Sequence, residues 1–203
     1  MSESESAGAA TVEVDLDPAA PELEAALREH VSRARKRGLL PFLYVHWDGC
    51  PPCRRIAQHA EVPLMRDAFG GVYLIRAEHE AWEARLVQTP FAYDNVPVYF
   101  RLDEKARHAG MLDGTAWDRD VPEEMAPPLK AFFRGKTPGR GPLDEVERAR
   151  VLQRTQRDAG GPAPTGKSPL LPSDLNTTRP GMRAVPKPAA AKRGCLGFLF
   201  FWV

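Results

Sequence analysis

The chain has 203 residues, 43% of them hydrophobic and 27% charged, which is enough for one well-buried domain and argues against global disorder. A formal net charge of +1 argues against wholesale nucleic-acid binding, which needs a sustained basic surface. Three cysteines, with Cys50 and Cys53 close together and Cys195 alone, are not the even, dispersed set of a secreted disulfide scaffold.

Residues 1–10 are small and acidic and read as a disordered leader. They carry neither a basic segment nor an apolar one, so they do not read as a signal peptide, and a reducing cytoplasmic setting is the expectation. Thr11 to Leu16 alternates weakly and suits a short edge strand. Pro21 opens a helix with Leu23, Leu27, Val31 and Ala34 on one face. Its last turn carries Arg33, Arg35, Lys36 and Arg37, which a helix C-terminus favours without any nucleic-acid ligand.

Leu39 to His46 (LLPFLYVH) is a continuous apolar run, as a central strand buried on both faces should be. Cys50-Pro51-Pro52-Cys53 then opens a helix with Ile56, Ala57 and Ala60 on one side, which Pro63 interrupts before a further turn over Leu64 to Phe69. Val72 to Ile75 is the next strand, and His79 to Gln88 a helix presenting Trp82 and Leu86. Val96 to Leu102 (VPVYFRL) is a strand with a proline near its start, followed by a weaker strand over Arg107 to Leu112. Glu123 to Phe133 closes the domain as a helix in which Pro127-Pro128 predicts a kink or a late start.

The expected organisation is therefore a domain over residues 11–135 and a helical extension over 136–158. A Pro/Gly-rich linker over 159–194, expected to be disordered, leads to an apolar tail over 195–203. The apolar residues of Leu143 to Asp158 do not hold one face, so that segment reads as a solvated helix or one docked on a partner. The tail is too short to span a bilayer; it suits a peripheral membrane contact, through its basic flank or lipidation of Cys195, or docking on the domain's own surface or in a partner's groove.

The chemistry lies in the cysteine pair. A thiol at a helix N-terminus meets unsatisfied amide N–H groups and the positive end of the macrodipole, both of which stabilise the thiolate that is the nucleophile. Cys50, on the exposed turn, is the expected attacking thiol, and Cys53, one turn in, the expected resolving thiol. Trp47 supplies an apolar platform just ahead of them, and Asp48 a polar neighbour able to handle a proton. A zinc half-site is the alternative; it needs further ligands from His46, His59 and Cys195, and the interposed prolines bring nothing to a metal knuckle. His46 and His59 otherwise read as packed or solvated side chains.

The order strand, WDGCPPC opening a helix, strand, helix, VP opening a strand, second antiparallel strand and closing helix resembles the thioredoxin superfamily from about Thr11 to Arg134. The resemblance implies an α/β fold with a central mixed sheet flanked by helices. It implies that Pro97 is cis and packs against the cysteine pair, and that Val96 offers its backbone to a substrate polypeptide. It implies thiol–disulfide exchange with protein substrates, no cofactor beyond the cysteines, and an upstream reductase as electron donor. The sites it implies are Cys50 and Cys53 for catalysis and Trp47, Pro51, Val96 and Pro97 for substrate contact. The alternative function is a binding, scaffold or redox-sensing module tethered through the tail. Three departures stand out: Gly49 replaces the tryptophan that precedes the first cysteine in thioredoxins, Tyr44 stands nearest the place of their buried acid, and Pro63 comes late. Glu78 and Asp48 are the nearby acids that can substitute. The combination resembles thioredoxin-like proteins with a broken second helix more than thioredoxin itself.

Overall fold

A computed structural model of the chain describes residues 10–158. The leader before Ala10, the linker and the apolar tail with Cys195 lie outside the described residues. Within them the elements run β1 (Val12–Asp15), α1 (Leu23–Lys36), β2 (Leu40–His46), α2 (Pro51–Gln58), α3 (Pro63–Phe69), β3 (Val72–Glu78), α4 (His79–Leu86), β4 (Val98–Leu102), β5 (His108–Asp113), α5 (Pro122–Phe133) and α6 (Glu145–Asp158).

The strands form one five-stranded sheet in the order β1-β3-β2-β4-β5. β1, β3 and β2 are parallel; β4 runs antiparallel to β2, and β5 antiparallel to β4. β2 therefore sits centrally, and its apolar run reads the period-2 alternation of a strand covered on both faces. Phe42 and Tyr44 point into a core built with Met65, Phe69, Leu129, Phe132 and Phe133 of α3 and α5. Leu43 and Val45 point into the opposite core with Leu27 and Val31 of α1 and Trp82 and Leu86 of α4. A mixed sheet of this order with helices on both faces is the thioredoxin-like α/β fold.

Several expectations are corrected. The cysteine helix ends at Gln58, and Pro63 begins a separate helix at a position where its missing N–H is no loss. Of its expected apolar face only Ile56 is buried, because Ala57 and Ala60 are exposed and Ala60 lies past the helix end. β3 runs on to Glu78, since Arg76 keeps its place in the ladder and reaches Glu13 at 3.5 Å and Asp15 at 3.6 Å on β1. α5 starts early, at Pro122, and runs through Pro127-Pro128 to Phe133. The two missing N–H groups fall in its first turns, where the carbonyls left unpaired, those of Glu123 and Glu124, sit at the solvent side.

The expected fully solvated helix is corrected for α6. It lies on its own domain: Val151 is buried in the same core as Trp82, Leu152 packs against it, and Thr155 Oγ1 donates to Glu83 of α4 at 3.1 Å. The segment leading to it is pinned on β5 by a paired Met111–Arg140 bridge. Gly139 makes that approach feasible: its φ is +75°, and a Cβ there would stand 3.0 Å from the Met111 amide nitrogen. Among the described residues no helix is long and apolar enough to cross a membrane.

Candidate functional site

The central strand β2 ends at His46, and the next residues turn into α2. Cys50 is the N-cap of α2, with extended backbone (φ −81°, ψ 117°), and its Sγ accepts a hydrogen bond from the Cys53 N–H at 3.2 Å. Pro51 and Pro52 fill the first two helical positions, where no backbone N–H has an intrahelical partner. The side chain at the N-cap is thus the acceptor that the open helix end requires, and here it is sulfur. Both thiols are free, with their Sγ atoms 2.6 Å apart.

The expected exposure of Cys50 is corrected: it is only 3% exposed, and Cys53 5%. The cover comes from far along the chain. Cys50 Sγ donates to the Val96 carbonyl at 3.4 Å across 46 residues, and the Val96-Pro97 peptide bond is cis. The strand itself begins at Val98 rather than Val96: Pro97 has no N–H for the ladder, and the Val96 carbonyl faces the thiol. The Pro97 carbonyl is held by the Gly114 N–H at 2.9 Å.

Trp47 is 37% exposed, and its indole N–H donates to Glu80 at 2.9 Å. Its ring lies across Gly49, where a Cβ would come within 2.6 Å of the indole. Gly49 therefore lets a tryptophan three positions upstream fold back beside the cysteine. Trp47, Cys50, Pro51 and Val96 share the rim of one groove of about 700 Å³, whose far wall is built by His79 and Glu83 of α4 and Arg154 of α6. The α6 wall was not readable beforehand. Arg154 holds it by donating to the Asp94 carbonyl at 3.1 Å and approaching Glu83 at 3.9 Å.

The surroundings of Cys53 are different. Burial pushes its thiol up to about 12, helped by a hydrogen bond with Cys50. Tyr44 acts in the other sense, its hydroxyl favouring the thiolate. Tyr44 stacks face to face on Tyr99, ring centroids 4.5 Å apart and planes 6° from parallel, and burial holds both phenols well above the ordinary tyrosine range. Of the two acids nominated from the sequence, Asp48 lines the same cavity as Cys53 and Tyr44, and Glu78 does not. Glu78 caps α4 by accepting from the Ala81 N–H at 2.9 Å, and Asp48 is exposed. His46 lies 5.4 Å from the Tyr44 ring centroid, and burial, then the nearby Arg76 guanidinium, lower it from the usual imidazole range. His59 follows the end of α2. Among the described residues no group of three or more His, Cys, Asp or Glu side chains gathers as a metal site.

No family model matches the chain, and no curated protein matches it. Among solved structures, the chain is similar to the crystal structure of Trxlp from Edwardsiella tarda EIB202, at 19% identity over 61% of this chain and 98% of that one, with a TM-score of 0.33.

Proposed function

We propose that the chain is a thiol–disulfide oxidoreductase acting on disulfides of protein substrates, with Cys50 as nucleophile and Cys53 as resolving thiol. One observation carries the reading: Cys50 Sγ caps a helix N-terminus, receives a backbone N–H and stands 2.6 Å from a second thiol at the edge of an open groove. The Cys50 thiolate attacks one sulfur of a substrate disulfide, forming a mixed disulfide and releasing the other sulfur as a thiolate that takes a proton from water. Cys53 then loses its proton and attacks Cys50 Sγ. The Cys50–Cys53 bond forms, the mixed disulfide breaks, and the substrate leaves as a dithiol, reduced by two electrons. An upstream dithiol reductase returns the pair to its starting state. Trp47, Pro51 and Val96 form the surface on which the substrate polypeptide lies, with Pro97 buried behind Val96.

The burial of Cys50 favours a second reading, in which the pair is a redox-sensing element of a binding module. Reduction of insulin disulfides by the full chain, compared with Cys50→Ser, separates the two. Turnover by the wild type and none by Cys50→Ser is expected; equal rates would sink the enzyme reading.

A further inference from the structure

The five strands and the helices on both faces are in place by Phe133, yet the chain adds α6 and sets it against the substrate groove. Arg154 of α6 donates from Nη1 to the Asp94 carbonyl at 3.1 Å, a contact between residues 60 apart in the chain. The Asp94 carboxylate lies 3.9 Å from Arg140, whose own N–H and carbonyl are both paired with Met111 of β5 at 2.8 Å. The segment that follows α5 therefore grips one loop residue twice, at its carbonyl from the helix and at its side chain from the lead-in.

Asp94 stands two residues before Val96, whose carbonyl accepts the Cys50 S–H. On one side of this stretch Tyr93 is buried, its hydroxyl 2.7 Å from His79 Nδ1; on the other the Pro97 carbonyl accepts the Gly114 N–H. Between those anchors Asn95 is exposed. Among the described residues the backbone of 94–96 makes two hydrogen bonds, one from Arg154 to the Asp94 carbonyl and one from Cys50 to the Val96 carbonyl. The second exists only while Cys50 carries its proton, because a thiolate has nothing to donate. Once Cys50 is ready to attack, the Arg154 bond is the one that still orients the stretch.

We propose that Arg154 is a positioning residue for the substrate polypeptide: through Asp94 it holds the Val96 backbone in place when the Cys50 thiol no longer does. This deepens the proposed function and rests on the reading of Val96 as a substrate contact. A loop ordered before the encounter spares the substrate the entropy of ordering it, so the contact acts on binding rather than on the sulfur chemistry. A guanidinium suits the task because it stays a donor at every working pH. Its neighbour Thr155 donates to Glu83 of α4 at 3.1 Å and keeps the same helical turn docked. Arg154 itself is 41% exposed, so it can be replaced without opening the core.

The test compares two disulfides on the full chain in a Cys195→Ser background. Insulin, with dithiothreitol recycling the pair, offers a polypeptide that can lie along Val96; dithionitrobenzoate is too small to use that backbone. Arg154→Ala is expected to raise KM for insulin about fivefold with kcat unchanged. It is expected to quicken the first release of nitrothiobenzoate, which reports attack by Cys50, because the Val96 cover loosens. Arg154→Lys, which keeps a donor, recovers most of the KM. Thr155→Val removes the link to Glu83 but keeps Arg154, and leaves KM at the wild-type value. An insulin KM unchanged in Arg154→Ala overturns the assignment. So does a KM raised equally by Thr155→Val, or a nitrothiobenzoate release slowed in step with insulin, since a loosened helix or a damaged thiol behaves in that way. If the wild type leaves insulin intact, the substrate reading falls alone. The hold on Val96 is then judged on the first nitrothiobenzoate phase: a quicker phase in Arg154→Ala keeps it, and equal phases overturn it.

Discussion

Two sulfurs 2.6 Å apart face two differently built regions. The Cys50 side is assembled from loops and helix ends: an N-cap, the Val96 carbonyl, a folded-back Trp47 and charged residues of α4 and α6. The Cys53 side is assembled from the sheet face, with Tyr44 and Tyr99 stacked beneath it and the α5 phenylalanines beyond. The first sulfur accepts the Cys53 N–H at the open end of a helix, while burial keeps the second protonated. One helical turn thus gives two identical thiols different surroundings: the sheet face packs against one, and loops and helix ends cover the other.

The largest test of that contrast is Cys53→Ser. Under the proposed function it abolishes turnover as completely as Cys50→Ser, but it alone accumulates a covalent Cys50–substrate adduct, visible as a mass shift. Adduct trapped equally by both variants would mean that the two positions are interchangeable. Next, Tyr99→Ala should lower stability by about 3–5 kcal/mol, measured by denaturant unfolding, because Tyr99 is fully buried under the pair.

The alkaline limb of stability comes third. The folded Cys53 thiol stands near 12, above its ordinary value of 9.0, so the unfolded chain loses that proton first as pH rises. The contribution of Cys53 is present in full below about pH 9 and lost progressively as pH climbs toward 12. Unfolding of the reduced chain across that range, compared with Cys53→Ala, should show a shallower decline in the variant; parallel curves would remove burial as the cause. The smallest effect belongs to the groove wall. Arg154 is 41% exposed and its carboxylate partner stands 3.9 Å away, so Arg154→Ala should change stability by under about 1 kcal/mol. A larger loss would place α6 among the elements that hold the domain together rather than those that decorate it.

The fold was legible because the signals that set it are local. The apolar run of β2, the cysteines opening a helix and the valine–proline pair ahead of β4 each declare an element on their own. The groove's far wall was not, because α6 binds through one buried valine and a few polar contacts rather than an apolar stripe. The burial of Cys50 escaped for a related reason: its cover is a carbonyl supplied 46 residues downstream. The cavity that Cys53 and Tyr44 share depends on Tyr44 standing opposite Tyr99 in the β2–β4 register, a pairing that neither strand announces by itself.

The contact between Cys50 and Val96 also turns the sulfur into a clock for folding. Two residues so distant in the chain meet only after the antiparallel β2–β4 pairing closes, and non-local closures of this kind are the slow events of folding. A pulse of alkylating reagent during refolding labels Cys50 freely until that moment and poorly after it. The same sulfur therefore times the arrival of the strand that completes its own site, before any substrate is present.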